Sequence, residues 1–397
     1  MKADGATPET PAPSTAIAAA VRAEAAAMNR PRWRPGQRGR YEGWYVAFND
    51  PAGERGWWLR YSLRAPSDGA EPVCQLWFMR TDRAATPRNR ALRATLPISA
   101  LRAGGVRADG DGPGAEGAEL PNGPGADGAE LPDGPGTGRG AGEPGQSDPP
   151  GFRLRIGGGD TAASGWLSLS GCAGRLADET GEVAWDLGFE PLLPPIAPTP
   201  EWGARFATCY LEPHPLLRIT GTVREGSAEH TIAGLMGEQA HVFGVRHSRR
   251  WHWAEGKNIG GGAFVGVSSW LPAGLTVTSL FLARPGAEPL LRNRMPAMLR
   301  PRTAHDPAGW RFTAESGAAR LVGAVTPRIE DLIGVTYHDP SGRPVYCYHS
   351  ELADLRLELQ RRAGSGWRTE EVVESPGGSA FEYGGSVPLG GVPLLLD

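Results

Sequence analysis

The 397 residues carry 41 Lys and Arg against 44 Asp and Glu, a formal net charge of −3 at neutral pH. A balance this close to neutral excludes the basic surface that a nucleic-acid or acidic-lipid partner would require. The length is sufficient for two domains with a buried core. No apolar run approaches the ~18 residues of a transmembrane helix, so no integral membrane segment is expected.

The N-terminal stretch Ala16–Met28 is alanine-rich but interrupted by Arg22 and Glu24. It lacks the apolar centre of a signal peptide and suits at most a short helix. Residues 1–34 are therefore expected to be a flexible segment ahead of the first domain. The strand signals begin after it. YEGWYVAF and GWWLRYSL flank the turn Asp50–Arg55, and VCQLWFM follows as a third strand. From Ala103 to Pro150 the chain is dominated by Gly and Pro and repeats the pentad GAELP, with no Lys or Arg between Ala108 and Gly138. Such a composition cannot bury enough apolar surface to offset chain entropy, so a disordered acidic insertion is expected there. A second proline-rich stretch, Pro191–Pro200, has the composition of an extended connector. It places the join between two domains near Glu212–Leu216, dividing the folded part into 35–215 and 216–397.

Further along, LRITGTV, HTIAGLM, FVGVSSWL and LTVTSLFLA have the same strand character, and GVTYHD and PVYCYHSEL flank a Pro340–Arg343 turn. A short helix is expected near Glu351–Arg361. Many short strands with regular turns argue for an all-β fold of antiparallel barrels, roughly 16 strands at ordinary spacing. Cys74, Cys172, Cys209 and Cys347 have no CxxC spacing and read as buried free thiols, which suits a reducing, cytoplasmic compartment. The 13 Trp outnumber both Tyr and Phe, a composition suited to barrel interiors and ligand cavities.

The densest chemistry lies between Gly237 and Asn258, GEQAHVFGVRHSRRWHWAEGKN. Burying so many ring and ionisable groups costs free energy unless each polar atom is paired, so the segment is expected to face a cavity. His241 is either a general acid–base group or a satisfied core histidine. Arg246, with Arg249, Arg250 and Lys257, forms either an anion site or a solvated loop. Trp251 and Trp253 share one face of a strand, as core fillers or as pocket walls. His241, His247 and His252 do not share a face and no carboxylate has ligand spacing, so no metal is expected. The Gly260–Gly262 run has no following Lys-Ser/Thr pair and signals no phosphate loop.

Tyr41-Glu42-Gly43-Trp44-Tyr45 resembles the opening signature of the tocopherol cyclases and their lipocalin-like relatives. Ala240-His241-Val242-Phe243-Gly244 followed by Trp251-His252-Trp253 and Asn258 resembles the second signature of that superfamily, which also holds carotenoid 1,2-hydratases. The resemblance implies two tandem lipocalin-like β-barrels and a lipophilic small-molecule partner, isoprenoid or polyketide-like, with no cofactor. It further implies acid-initiated cyclisation, hydration or a pericyclic step, with non-catalytic carriage of the same ligands as the alternative. Its proton donor is acidic, but this chain has Ala240 at that place and Phe243 for a tryptophan. The donor role then falls to His241, Glu238, Glu42 or Glu255. Glu42 is either that acid or a structural carboxylate paired with Arg40 or Arg60. The expected catalytic residues are His241 and Glu42. Trp44, Tyr45, Arg246, Trp251, Trp253, Asn258 and Tyr348 are the expected ligand contacts, and Glu382 is a weaker second carboxylate.

Overall fold

A computed structural model describes residues 15–104, 152–158, 163–271, 274–284 and 287–397. The expected acidic insertion lies, apart from Ala103 and Gly104, outside the described residues. The first sheet takes β1 (Arg40–Asp50), β2 (Arg55–Ala65), β3 (Val73–Asp82), β4 (Asn89–Pro97), β5 (Leu101–Gly104) and β6 (Arg153–Ile156). It continues through β7 (Ala163–Ser168), β8 (Gly171–Asp178), β9 (Gly181–Pro191), β10 (Thr208–Glu225) and β11 (Ala228–Gly244). The second begins with β12 (Arg250–Ile259), β13 (Gly262–Trp270), β14 (Thr276–Arg284), β15 (Ala287–Arg292) and β16 (Arg302–Asp306). It ends with β17 (Gly309–Ser316), β18 (Ala319–Thr326), β19 (Ile333–His338), β20 (Pro344–Ala363), β21 (Gly366–Gly385) and β22 (Leu394–Leu396).

The all-β reading holds: the chain forms two antiparallel sheets of 11 strands each among the described residues, one of them nearly closed into a barrel. The first runs β4-β3-β2-β1-β11-β10-β9-β8-β7-β6-β5. The second repeats that plan as β15-β14-β13-β12-β21-β20-β18-β17-β16, with β19 and β22 added as a short parallel pair beside β20. In both, a four-strand meander is clamped to a long hairpin, β10/β11 or β20/β21.

Three local expectations change. The Glu212–Leu216 join falls inside β10, which remains paired to β9 and β11; the chain crosses between sheets at residues 245–249. Pro213 and Pro215 are accommodated because the β10/β11 register shifts between Leu211 and His214 and again between His214 and Leu217. Proline cannot donate to a ladder and is tolerated at such bulges. The proline connector lies back along β10, with an isolated bridge between Ile196 and Glu212. The helix expected near Glu351–Arg361 is instead part of β20, where Leu355 and Leu357 are buried, Asp354 and Arg356 exposed and Glu358 half-buried. That alternation has the two-residue period of a strand.

The segment expected to be flexible contains a helix. Residues 1–14 lie outside the described residues, whereas Thr15–Asn29 forms α1 and packs against β10 and β11. Ala25 and Asn29 are fully buried there.

Candidate functional site

Alternation along β1 sends its side chains to two different places. Trp44, Val46 and Phe48 enter the interior of the first sheet, whereas Tyr45 and Ala47 face the seam between the two sheets. β11 divides likewise: His241 lies opposite Trp44, and Ala240 opposite Tyr45.

On the interior side, His241 stacks on Trp44 with centroids 4.7 Å apart and planes within 9°. Its Nε2 is 2.8 Å from Glu42 Oε1 and its Nδ1 is 2.6 Å from the Met28 carbonyl. Glu42 also accepts the backbone N–H groups of Arg32 (2.6 Å) and Trp33 (2.8 Å). Trp44 Nε1 donates to the Asn29 carbonyl at 3.0 Å, and Asn29 Nδ2 donates to Gln239 Oε1 at 3.1 Å. The residues expected to be catalytic therefore fasten α1 and its C-terminal tail to the sheet.

On the seam side lies a cavity of about 100 Å³. Tyr41, Tyr45, Trp58, Trp251, Trp253 and Tyr337 give it aromatic walls, with Arg60, Tyr210, His247 and Glu382 as polar groups. The expected contacts Tyr45, Trp251 and Trp253 line it. Arg246 is exposed and donates to the Phe206 carbonyl instead, and Tyr348 is packed in the core of the second sheet. Asn258 lies on β12, but its side chain is outside the described residues.

His247 was not singled out from the sequence as a site residue, yet it forms part of the cavity wall. Its Nδ1 is 2.7 Å from Asp339 Oδ1, which also accepts the His247 backbone N–H at 2.8 Å. The ring stacks between Tyr41 (4.3 Å) and Tyr337 (5.2 Å). Burial lowers the His247 pKa and outweighs the pull of Asp339. Burial alone would raise Asp339, but its hydrogen bonds from His247 and Arg343 hold it below the usual carboxylate range. A neutral imidazole oriented by an ionised carboxylate is the form that accepts a proton.

Tyr210 stands on the opposite side of the polar inventory. Its hydroxyl donates to Glu212 and accepts from Tyr45 Oη (3.2 Å) and Trp253 Nε1 (2.8 Å). Glu212 begins a buried carboxyl cluster with Glu238 and Glu255. Burial, reinforced by the neighbouring Glu255, pushes both Glu212 and Glu238 well above the ordinary range. Burial also raises Glu255, to about 7, against the pull of Lys257. Lys257 Nζ lies 3.5 Å from Glu255 and 2.8 Å from Glu351, whose other oxygen is 2.6 Å from His349 Nε2. Burial would lower His349, but its hydrogen bond to Glu351 and the Glu382 carboxylate 3.6 Å away push it up to about 9. Glu351 and Glu382 are held low despite burial, so two carboxylates face two cations while Glu212 and Glu238 retain protons. Neutralisation is the usual response of carboxyls with no counter-charge in a dry interior.

All four cysteines are free and buried, as the sequence suggests. Among the described residues no group of three or more His, Cys, Asp and Glu could hold a metal ion, and no helix is long and apolar enough to cross a membrane.

No protein-family model matches the chain. Two uncharacterised proteins of Mycobacterium tuberculosis, from strains H37Rv and CDC 1551, are each 23% identical over 369 residues, covering 87% of this chain and 88% of theirs. Among solved structures, CghA aligns with TM-score 0.48 at 10% identity, over 90% of this chain and 95% of its own. A candidate AttH from Nitrosomonas europaea gives 0.47 at 12% identity, over 88% and 93%. Kievitone hydratase from Nectria haematococca gives 0.45 at 9% identity, over 86% and 88%. At these scores the likenesses bear on neither substrate nor reaction.

Proposed function

We propose that this protein takes a lipophilic small molecule into the cavity between its sheets and catalyses a proton-transfer reaction on it, hydration or cyclisation at a carbon–carbon double bond. The observation that carries the reading is a base and a proton relay on the wall of one aromatic chamber. His247, neutral and oriented by Asp339, is the base. The protonated Glu212 is the acid, and the Tyr210 hydroxyl, itself weakened as an acid by burial, relays its proton to the chamber. In a hydration, the Tyr210 hydroxyl would turn from Glu212 to protonate one alkene carbon while Glu212 passes its own proton to Tyr210. Glu212 then stays ionised until the proton taken up by His247 is returned to it through solvent. His247 would remove a proton from the water that attacks the other carbon. In a cyclisation, a hydroxyl of the substrate replaces that water, and the balance of protons is the same. Aromatic walls hold an apolar skeleton in a reactive conformation, which is itself a large part of such catalysis. The motif resemblance supports an isoprenoid or polyketide-like skeleton.

The test is a titration of tryptophan fluorescence with retinoids, carotenoids, quinones and fatty acids, followed by incubation and mass spectrometry of the ligands that bind. The expected product is heavier by one water, or equal in mass with altered retention. If no lipophile quenches, the reading fails. Tight binding without any product would leave a carrier of hydrophobic ligands in its place.

A further inference from the structure

Beside the aromatic chamber lies a second cavity of about 200 Å³, with Tyr41, Arg60, His247 and Tyr337 common to both. Its character is different. Arg60, Arg64, Arg93 and His338 line it, and no Asp or Glu does. Arg60 stands at the junction and is only 7% exposed. Its guanidinium carbon lies 4.8 Å from the centre of the Tyr337 ring and 5.7 Å from that of Trp58. Both rings are within cation–π reach of the group. Arg60 Nε is buried with no hydrogen-bond partner, and Arg60 forms no ion pair among the described residues.

The nearby carboxylates are committed elsewhere. Asp339 is held by His247 and by Arg343 Nη2, and Glu382 is held by Trp251 Nε1 and His349. Room for the guanidinium comes from Gly43 on β1, where a Cβ would lie 2.8 Å from Arg60 Nε. Nε and Nη2 face that glycine, so an anion would reach the guanidinium from its cavity side. A buried cation without a bonded anion is costly, and a carboxylate would supply the missing charge.

We infer that the ligand of the inter-sheet cavity is an amphipathic acid, its apolar skeleton in the aromatic chamber and its carboxylate against the Arg60 guanidinium where the two cavities meet. The assignment rests on the lipophile reading above and adds the ligand's charged end to it. Arg64 adds positive potential on the same side. Arg93 is partly engaged, donating to the Asp397 carbonyl at 2.6 Å.

Matched pairs differing only at that end give the test: 2-naphthoate, farnesoate and retinoate, each beside its methyl ester. Affinities are read by calorimetry on the whole chain. At least one acid is expected to bind about tenfold or more tighter than its ester, with a preference that weakens as salt is added. In an Arg60→Gln variant, checked for folding by circular dichroism, acid and ester should bind within about twofold of each other, and Arg60→Lys should recover part of the preference. If acids and esters bind the natural protein alike, or if Arg60→Gln keeps the preference, the Arg60 assignment is overturned and the lipophile reading stands. If no member of any pair binds, the lipophile reading falls and the assignment falls with it. The comparison on the natural protein decides the matter even if Arg60→Gln does not fold.

Discussion

His241 with Glu42 and His247 with Asp339 are the same chemical pair, one inside the first sheet and one at the seam. Their distances are nearly equal, 2.8 and 2.7 Å. What separates them is the second ring nitrogen. His241 has both nitrogens engaged and a tryptophan against its face. His247 has one nitrogen on Asp339, no hydrogen bond from the other among the described residues, and a cavity beside it. A histidine–carboxylate pair thus becomes a base or a fastening according to what is left over after its own hydrogen bonds are made.

The largest effect is expected at the seam. His247→Gln should lower turnover about 10²–10⁴-fold, the usual contribution of a general base, while ligand affinity changes little. Unchanged turnover in the variant would end the comparison. Glu42→Ala should do the reverse. It strands buried His241 and two backbone N–H groups, and loss of one partner of a buried pair costs about 3–5 kcal/mol. Urea denaturation should show that loss while turnover per folded molecule is kept. A variant that folds normally but is inactive would restore Glu42 as catalyst.

The buried cluster at the seam sharpens the contrast through pH. His349 is raised to about 9, so its stabilisation is full below its ordinary value and is lost as pH rises through 9. Glu255, raised to about 7, stabilises fully below its ordinary value of 4.5 and loses that stabilisation as pH rises through 7. Each linkage amounts to roughly 3 kcal/mol at most. Burial lowers His214 and His247, which oppose these two groups below about pH 6.5. Melting temperature should therefore fall from about pH 7 to pH 9, and His349→Gln should flatten that fall. A melting curve that rises over this range would contradict the assigned protonation states. The smallest effect is expected at Gly384, where a Cβ would lie 2.1 Å from the Trp251 ring. Gly384→Ala should cost about 1–3 kcal/mol by overpacking and weaken ligand binding, since Trp251 is a cavity wall. Affinity equal to that of the natural protein would show that Trp251 does not set the shape of the chamber.

Much of the fold is legible in the order of residues because turn chemistry punctuates it. Asp50–Arg55 and Pro340–Arg343 sit between alternating runs, and both hairpins are present. The 20-residue β20 and β21 were harder to read, because bulges shift their register and charged side chains line their outer faces. At the site, alternation puts Trp251 and Trp253 on one strand face without separating core from pocket, and Tyr45 stands out only through the motif resemblance. Asp339 could not: it is 92 positions from His247 and, next to Pro340, reads as an ordinary turn residue. Arg60 lay hidden in a strand of apolar and aromatic residues, its significance resting on the absence of a neighbour. Ala240 looks like a missing acid in the sequence. In three dimensions it lies on the seam-facing side of β11 with Glu238, whose carboxyl faces Glu255 on β12.

The pairing of β1 with β11 has a consequence for how the protein is made. Glu42 and His241 lie 199 positions apart, and the first sheet has no partner for that edge of β1 until β11 exists. A growing chain must therefore carry β1 to β4 as an open meander, one edge bare, while residues 98–227, about a third of the polypeptide, are synthesised. Contacts this distant close slowly, and an unpaired edge meanwhile invites association with other chains. The helix α1, emerging first yet docking on β10 and β11, can seat only after that closure.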